Sequence, residues 1–134
     1  MLRRIYDMPA GTLGFEAVGE VEDDDVENVL QPALSRWVAE HGKIRLLYLL
    51  GARLKDFEGD AVSENAKFVA RHPTAFERVA VVSDEDWLRP AIRALSLLLP
   101  GEAKGFPVHE LAAAKIWLAE GLDRDGSGGP PAAA

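Results

Sequence analysis

Asp23, Asp24 and Asp25 form the densest cluster of carboxylates in the chain, and Mg²⁺ or Ca²⁺ would want several such oxygens. Successive residues on a helix point about 100° apart, so these three would not converge on one ion. They read as the acidic opening of a helix, where each carboxylate near the dipole contributes roughly 0.3–1 kcal/mol. Asp123, Arg124, Asp125 and Gly126 have the first residues of a calcium loop, but the Gly comes too early and the closing Glu is missing. His41, His72 and His109 are far apart in sequence, each at a predicted helix end, where an imidazole caps carbonyls or faces solvent. Ser35, Ser63, Ser83, Ser96 and Ser127 all lie outside a Gly-x-Ser-x-Gly elbow, so hydrolase chemistry has no support. The chain has neither a Gly-x-Gly-x-x-Gly nor a Walker-type loop to cradle a phosphate, and Asp56, Glu58 and Asp60 would repel one. No motif implies a metal or a cofactor, and the expectation is a protein that is not an enzyme.

Composition narrows the classes further. A chain of 134 residues is the size of one domain, and at about 150 residues a domain buries roughly 68–70% of the surface its unfolded chain exposes. Cysteine is absent, which excludes disulfides, thiol nucleophiles and Cys-ligated metals and is compatible with a reducing compartment, so the cytoplasm is expected. The net charge of −7 opposes phosphate backbones and anionic headgroups, so nucleic acid is not an expected partner. No apolar run approaches the roughly 20 residues of a membrane helix, and no integral membrane segment is expected.

The elements that must position any site follow from periodicity. Leu2 to Asp7 reads as a short strand, and Pro9 to Gly11 as a turn. Leu13, Phe15, Ala17, Gly19 and Val21 then alternate with Glu16 and Glu20 as a half-exposed hairpin strand. Val26, Val29, Leu30, Ala33, Leu34, Trp37 and Val38 fall at helical spacing up to His41 and Gly42, with a kink predicted near Asn28 to Pro32, because proline removes a backbone donor. Lys43 to Leu50 is a buried central strand, and it opens into a loop from Gly51 to Asp60, the place where α/β sheets bind their ligands. A second helix is predicted from about Asp60 to Arg71, and Phe76 anchors the connection to a strand from Arg78 to Val82. Ser83 to Asp86 is read as the acidic start of a third helix with Leu88, Ile92, Leu95 and Leu99 inward. Lys104 to Val108 is a weak strand whose Gly105 and Pro107 suit a sheet edge. The last helix, about His109 to Gly121, turns Ala113, Ala114, Trp117 and Leu118 to the core. Residues 122–134 read as a flexible Gly/Pro/Ala tail, leaving 1–121 as the folded domain. The order ββαβαβαβα implies an α/β fold with a mixed sheet and right-handed crossovers between its parallel strands.

Several segments in this order carry a family resemblance. They are Gly14 to Val21 followed by Glu22 to Asp25 and a Pro-containing helix; His41 to Leu47; Phe57, Glu58 and Gly59; Phe76 to Val82; and Ala113 to Leu118. Together, over roughly residues 2 to 121, they resemble the SpoIIAA-like branch of the STAS fold. The resemblance implies a mixed, mostly parallel five-stranded sheet with helices mainly on one face. Anti-sigma factor antagonists of this fold carry an Asp-Ser-Ser-Gly-like phosphorylation motif after the central strand, and the distantly similar CRAL-TRIO domains carry lipids. Phe57 to Ser63 holds no such motif, so a phosphorylated serine is not carried over to Ser63.

The third helix most invites function. Ala91, Ala94 and Leu98 widen its apolar face, and Leu97 points nearly opposite Leu88, as on a helix buried on more than one side. Against this stands a helix ending near Ser96, with Leu97 and Leu98 as ordinary exposed leucines. Trp87 either plugs the sheet end or lines a pocket with Phe57. The candidate surface is therefore Phe57, Glu58, Asp60, Ser63, Trp87, Ala91, Ala94, Leu97 and Leu98. It is expected to bind a protein partner or a second copy as a homodimer, with a lipid or other small hydrophobic ligand held by Phe57, Trp87 and Leu98 as the alternative and an anti-sigma factor antagonist role as the weaker one.

Overall fold

The structure is a computed structural model and describes residues 1–51, 54–57, 71, 72, 74–86 and 88–122. The helix expected from Asp60 and the tail from Asp123 onward lie outside the described residues. Strands β1 (Leu2–Ile5), β2 (Leu13–Ala17), β4 (Ile44–Leu50), β6 (Phe76–Ser83) and β7 (Glu102–Phe106) form one sheet in the order β1-β2-β4-β6-β7. Only β1 runs antiparallel to its neighbour, so the mostly parallel five-stranded sheet is as expected. The strand from 43 to 50 is central and the weak strand near 104 is an edge.

The strand predicted over 13 to 21 is two strands. Gly19, at a positive φ of 64°, breaks the run, and β3 (Gly19–Val21) pairs in parallel with β5 (Leu54–Phe57) in a separate sheet. The expected loop after the central strand thus contains a strand, formed where β3 offers an edge rather than where propensity is high. Nor is β2 half-exposed. Its Leu13, Phe15 and Ala17 are buried on one face, and Gly14 is buried on the other against Met8 and Ile5.

Helix α1 runs over three pieces, Asp23–Asp25, a π-helical turn Val26–Leu30 and the α-helix Gln31–His41. The Gln31 amide donates to the Val26 carbonyl, five residues back, immediately before Pro32, whose nitrogen has no hydrogen to donate. The kink is therefore a π-turn. Val26, Leu30 and Leu34 stay buried at four-residue steps, whereas Val29, expected inward, is 37% exposed because the extra residue in the turn rotates it outward. At the N-terminus, Asp25 Oδ2 accepts the Glu22 amide at 2.9 Å, one half of a capping box.

Helix α2 (Leu88–Leu98) and α1 cover one face of the sheet, and helix α3 (Leu111–Ala119) covers the other. On the first face Phe15, Ile44, Leu46 and Val79 pack with Leu30 and Leu34; on the second Leu47, Ala80, Val82 and Phe106 pack with Ala114 and Leu118. Ala113, expected inward, is exposed, and Leu111 packs in its stead. α3 is anchored by two neighbouring arginines at its carboxyl end. Arg45 Nη1 donates to the Leu118 carbonyl at 3.0 Å and to that of Glu120, and Arg78 Nη1 donates to the Trp117 carbonyl at 2.6 Å. Cations there satisfy orphan carbonyls and complement the helix dipole.

Candidate functional site

The connection from β6 to α2 is built from side chains that the sequence reading assigned to a helix start. Ser83, 2% exposed, accepts the Glu85 amide on its hydroxyl at 3.1 Å. Asp84 Oδ1 accepts the Val108 amide at 2.9 Å, tying the end of β6 to the exit of β7. With both groups spent on other backbone, Asp84 to Asp86 form a turn, and the helix begins only at Leu88, whose amide donates to the Glu85 carbonyl at 3.2 Å.

From there α2 is amphipathic. Leu88 and the following Leu99 are buried and Ile92 is half-buried, while Arg89, Arg93, Ala94, Ser96 and Leu97 face solvent. The sheet side sits close to β7: a methyl group at Gly105 would lie 3.1 Å from Leu88 Cδ2 and 3.3 Å from Ile92 Cγ1. Glycine at 105 lets the helix approach the edge strand.

Between α2 and the carboxyl end of β7 lies an open cleft of about 880 Å³. One wall is Leu88, Arg89, Ile92, Arg93 and Ser96; the other is Gly105, Phe106 and Pro107; Ser83 to Asp86 close one end. It opens at the carboxyl ends of β6 and β7, where this class of sheet places ligands, and not at the central strand. The lining is mixed, with Leu88, Ile92, Phe106 and Pro107 beside five charged residues. It contains no histidine, and among the described residues no group of His, Asp and Glu could hold a metal ion. Arg89 and Arg93 make no ion pair among the described residues.

The residues singled out from sequence fall as follows. Ala94 and Leu97 lie on the exposed side of α2, and Leu97 is 85% exposed, opposite the buried Leu88. Ala91 and Leu98 are within α2, which continues through Leu98 and does not end near Ser96. Phe57 ends β5 opposite Val21. Glu58, Asp60, Ser63 and Trp87 lie outside the described residues. Sequence reasoning missed Arg89, Arg93, Gly105 and Pro107 as one cleft; the arginines four apart on one helix were the available signal. The histidines stay separate. His41 stacks on Trp37 with ring centroids 3.9 Å apart at the end of α1, His72 precedes β6, and His109 lies in the 3₁₀ turn Val108–Glu110.

The family model described as SpoIIAA-like matches residues 12–119, most of the chain. The chain belongs to the SpoIIAA-like family. A crystal structure of an uncharacterized DUF3478-family protein with a SpoIIAA-like fold, from Shewanella loihica PV-4, is similar at 26% identity and a TM-score of 0.67. The match covers 88% of this chain and 92% of that one. No curated protein matches the chain. In this SpoIIAA-like domain no helix among the described residues is long and apolar enough to cross a membrane.

Proposed function

We propose that residues 1–121 form a non-enzymatic, cytoplasmic binding domain that engages a protein partner across α2 and the cleft beside it. The observation that supports this most is the make-up of α2. One helix supplies both the exposed Leu97 and two cleft-wall arginines that make no ion pair among the described residues. A single exposed leucine needs no explanation, but one on the same helix as an open cleft marks a contact face. The charged lining favours a polypeptide, which offers polar and apolar groups together, over a lipid, whose pocket would be mostly apolar.

Tyr6 supplies the control, being equally exposed at 85% just beyond β1, at the opposite edge of the sheet. Light scattering and sedimentation of the purified protein, alone and with partners cross-linked in cell extract, should show a complex weakened about tenfold or more by Leu97→Glu. Tyr6→Glu should leave it intact. A strict monomer with no retrievable partner, or equal effects of the two substitutions, would refute the reading.

A further inference from the structure

The cleft borders an edge strand, which can pair with an extended polypeptide. β7 ends the sheet, so among the described residues its outer backbone groups have no strand partner. A second copy pairing through its own β7 would crowd the two α2 helices. Paired strands lie about 4.8 Å apart, and with α2 seated on β7 through Leu88 and Ile92 against Gly105, the two helices would be brought to a similar separation. Packed helices need about 8–10 Å. A bare strand meets no such obstacle.

We propose that the cleft is a strand-addition site that takes an extended, acidic segment of a partner protein, paired to β7 and read by Arg89 and Arg93. This rests on the binding-domain reading above and names the partner's chemistry. Side chains on one face of a strand recur every second residue, about 6.6–6.8 Å apart. Arg89 and Arg93 are four residues apart on α2, about 6 Å along its axis. An acidic-x-acidic segment therefore sets one carboxylate opposite each guanidinium, the pairing for which arginine geometry is suited. The residues between point to the other face of the sheet, that of Phe106. Asp84 is engaged by the Val108 amide, but Glu85 and Asp86 are exposed at the closed end of the cleft, beside the start of α2 and the end of β7. They select a basic residue two positions before the first acid, so the segment runs antiparallel to β7 with its amino end at that turn. Main-chain bonds to β7 supply affinity and the alternate side chains supply specificity.

The test uses the full chain and a hexapeptide, Lys-Val-Glu-Val-Glu-Val, labelled at its carboxyl end and followed by fluorescence polarisation. Saturable binding is expected, weakened at least about tenfold by Arg93→Glu or Arg89→Glu, with circular dichroism unchanged because both side chains are exposed. The Arg89→Glu, Arg93→Glu double variant should instead prefer Lys-Val-Lys-Val-Lys-Val. N-methylation of alternate backbone amides should abolish binding in one of the two phases, because only the amides facing β7 are needed. No saturable binding, equal binding of the two peptides, or indifference to methylation in both phases would each overturn the proposal. So would loss of peptide binding as the protein self-associates, which would make a second copy the occupant. If the peptide fails while Leu97→Glu still dissolves a native complex, the binding domain stands and only this partner chemistry falls.

Discussion

Arg45 is the residue whose loss should be felt most outside the apolar core. Its side chain is 10% exposed and donates to the Leu118 carbonyl at 3.0 Å, to the Glu120 carbonyl and, through Nε, to Glu77 Oε1 at 2.6 Å. Replacing it with Met keeps apolar volume and removes every donor. Each buried carbonyl left without a partner costs about 1–3 kcal/mol, with the upper part for Leu118 and the lower for the more accessible Glu120. Losing the cation at the end of α3 adds up to about 1 kcal/mol. Relief of the arginine's own desolvation offsets part of this, leaving a net loss of about 2–4 kcal/mol. Glu77 stands differently. Its side chain is 43% exposed and stays hydrated when unpaired, so Glu77→Gln should cost under about 1 kcal/mol. Urea denaturation followed by circular dichroism reads both values, and Arg45→Met should lower Tm by about 6–16 °C. Loss of less than about 1 kcal/mol in Arg45→Met, or equal losses in the two variants, would refute the reading that Arg45 holds the end of α3.

Gly101→Ala should destabilise by more than about 2 kcal/mol in the same assay, because the added carbon meets the Phe76 and Glu77 carbonyl oxygens, which are rigid backbone. Leu118→Ala, at 0% exposure, should cost about 2–5 kcal/mol, whereas Ile116→Ala, two residues earlier and 68% exposed, should stay within about 0.5 kcal/mol. Asp84→Ala should cost about 1 kcal/mol and speed hydrogen exchange at the Val108 amide, leaving the central-strand amides of Leu46 and Leu47 protected.

Where one physical signal dominated, the sequence was a good guide. Ile44 to Leu50 reads as an interior strand because nearly every residue is apolar, and it is interior because both faces of the sheet are covered, by α1 and by α3. Glycine and proline near 105 and 107 spoke correctly for an edge. The errors arise where a distant partner decides. β5 exists because β3 breaks away at Gly19, and nothing local to Leu54–Phe57 announces it. Asp84 leaves the helix because Val108, 24 residues on, supplies an amide. Arg45 and Arg78 interrupt two apolar strands, and their purpose appears only where α3 ends beside them.

The same logic moves the site. Counting strands from sequence makes the carboxyl end of the central strand the natural place for a ligand, since β4 has neighbours on both sides. In the folded chain Leu54–Phe57, beyond the end of β4, pairs in parallel with β3. Of the two edge strands of the five-stranded sheet, β7 is the one that carries a cleft among the described residues, and the missing side chain of Gly105 lets α2 approach it. An exposed edge is a liability that proteins usually blunt with charge, and here Glu102 and Lys104 do so on the face away from α2. On the α2 face the charges are Arg89 and Arg93, held on the helix and not on the strand, so they leave the edge accessible while selecting what approaches it. That asymmetry, with the strand guarded on one face and the other watched by two arginines, separates a recognition edge from a merely protected one.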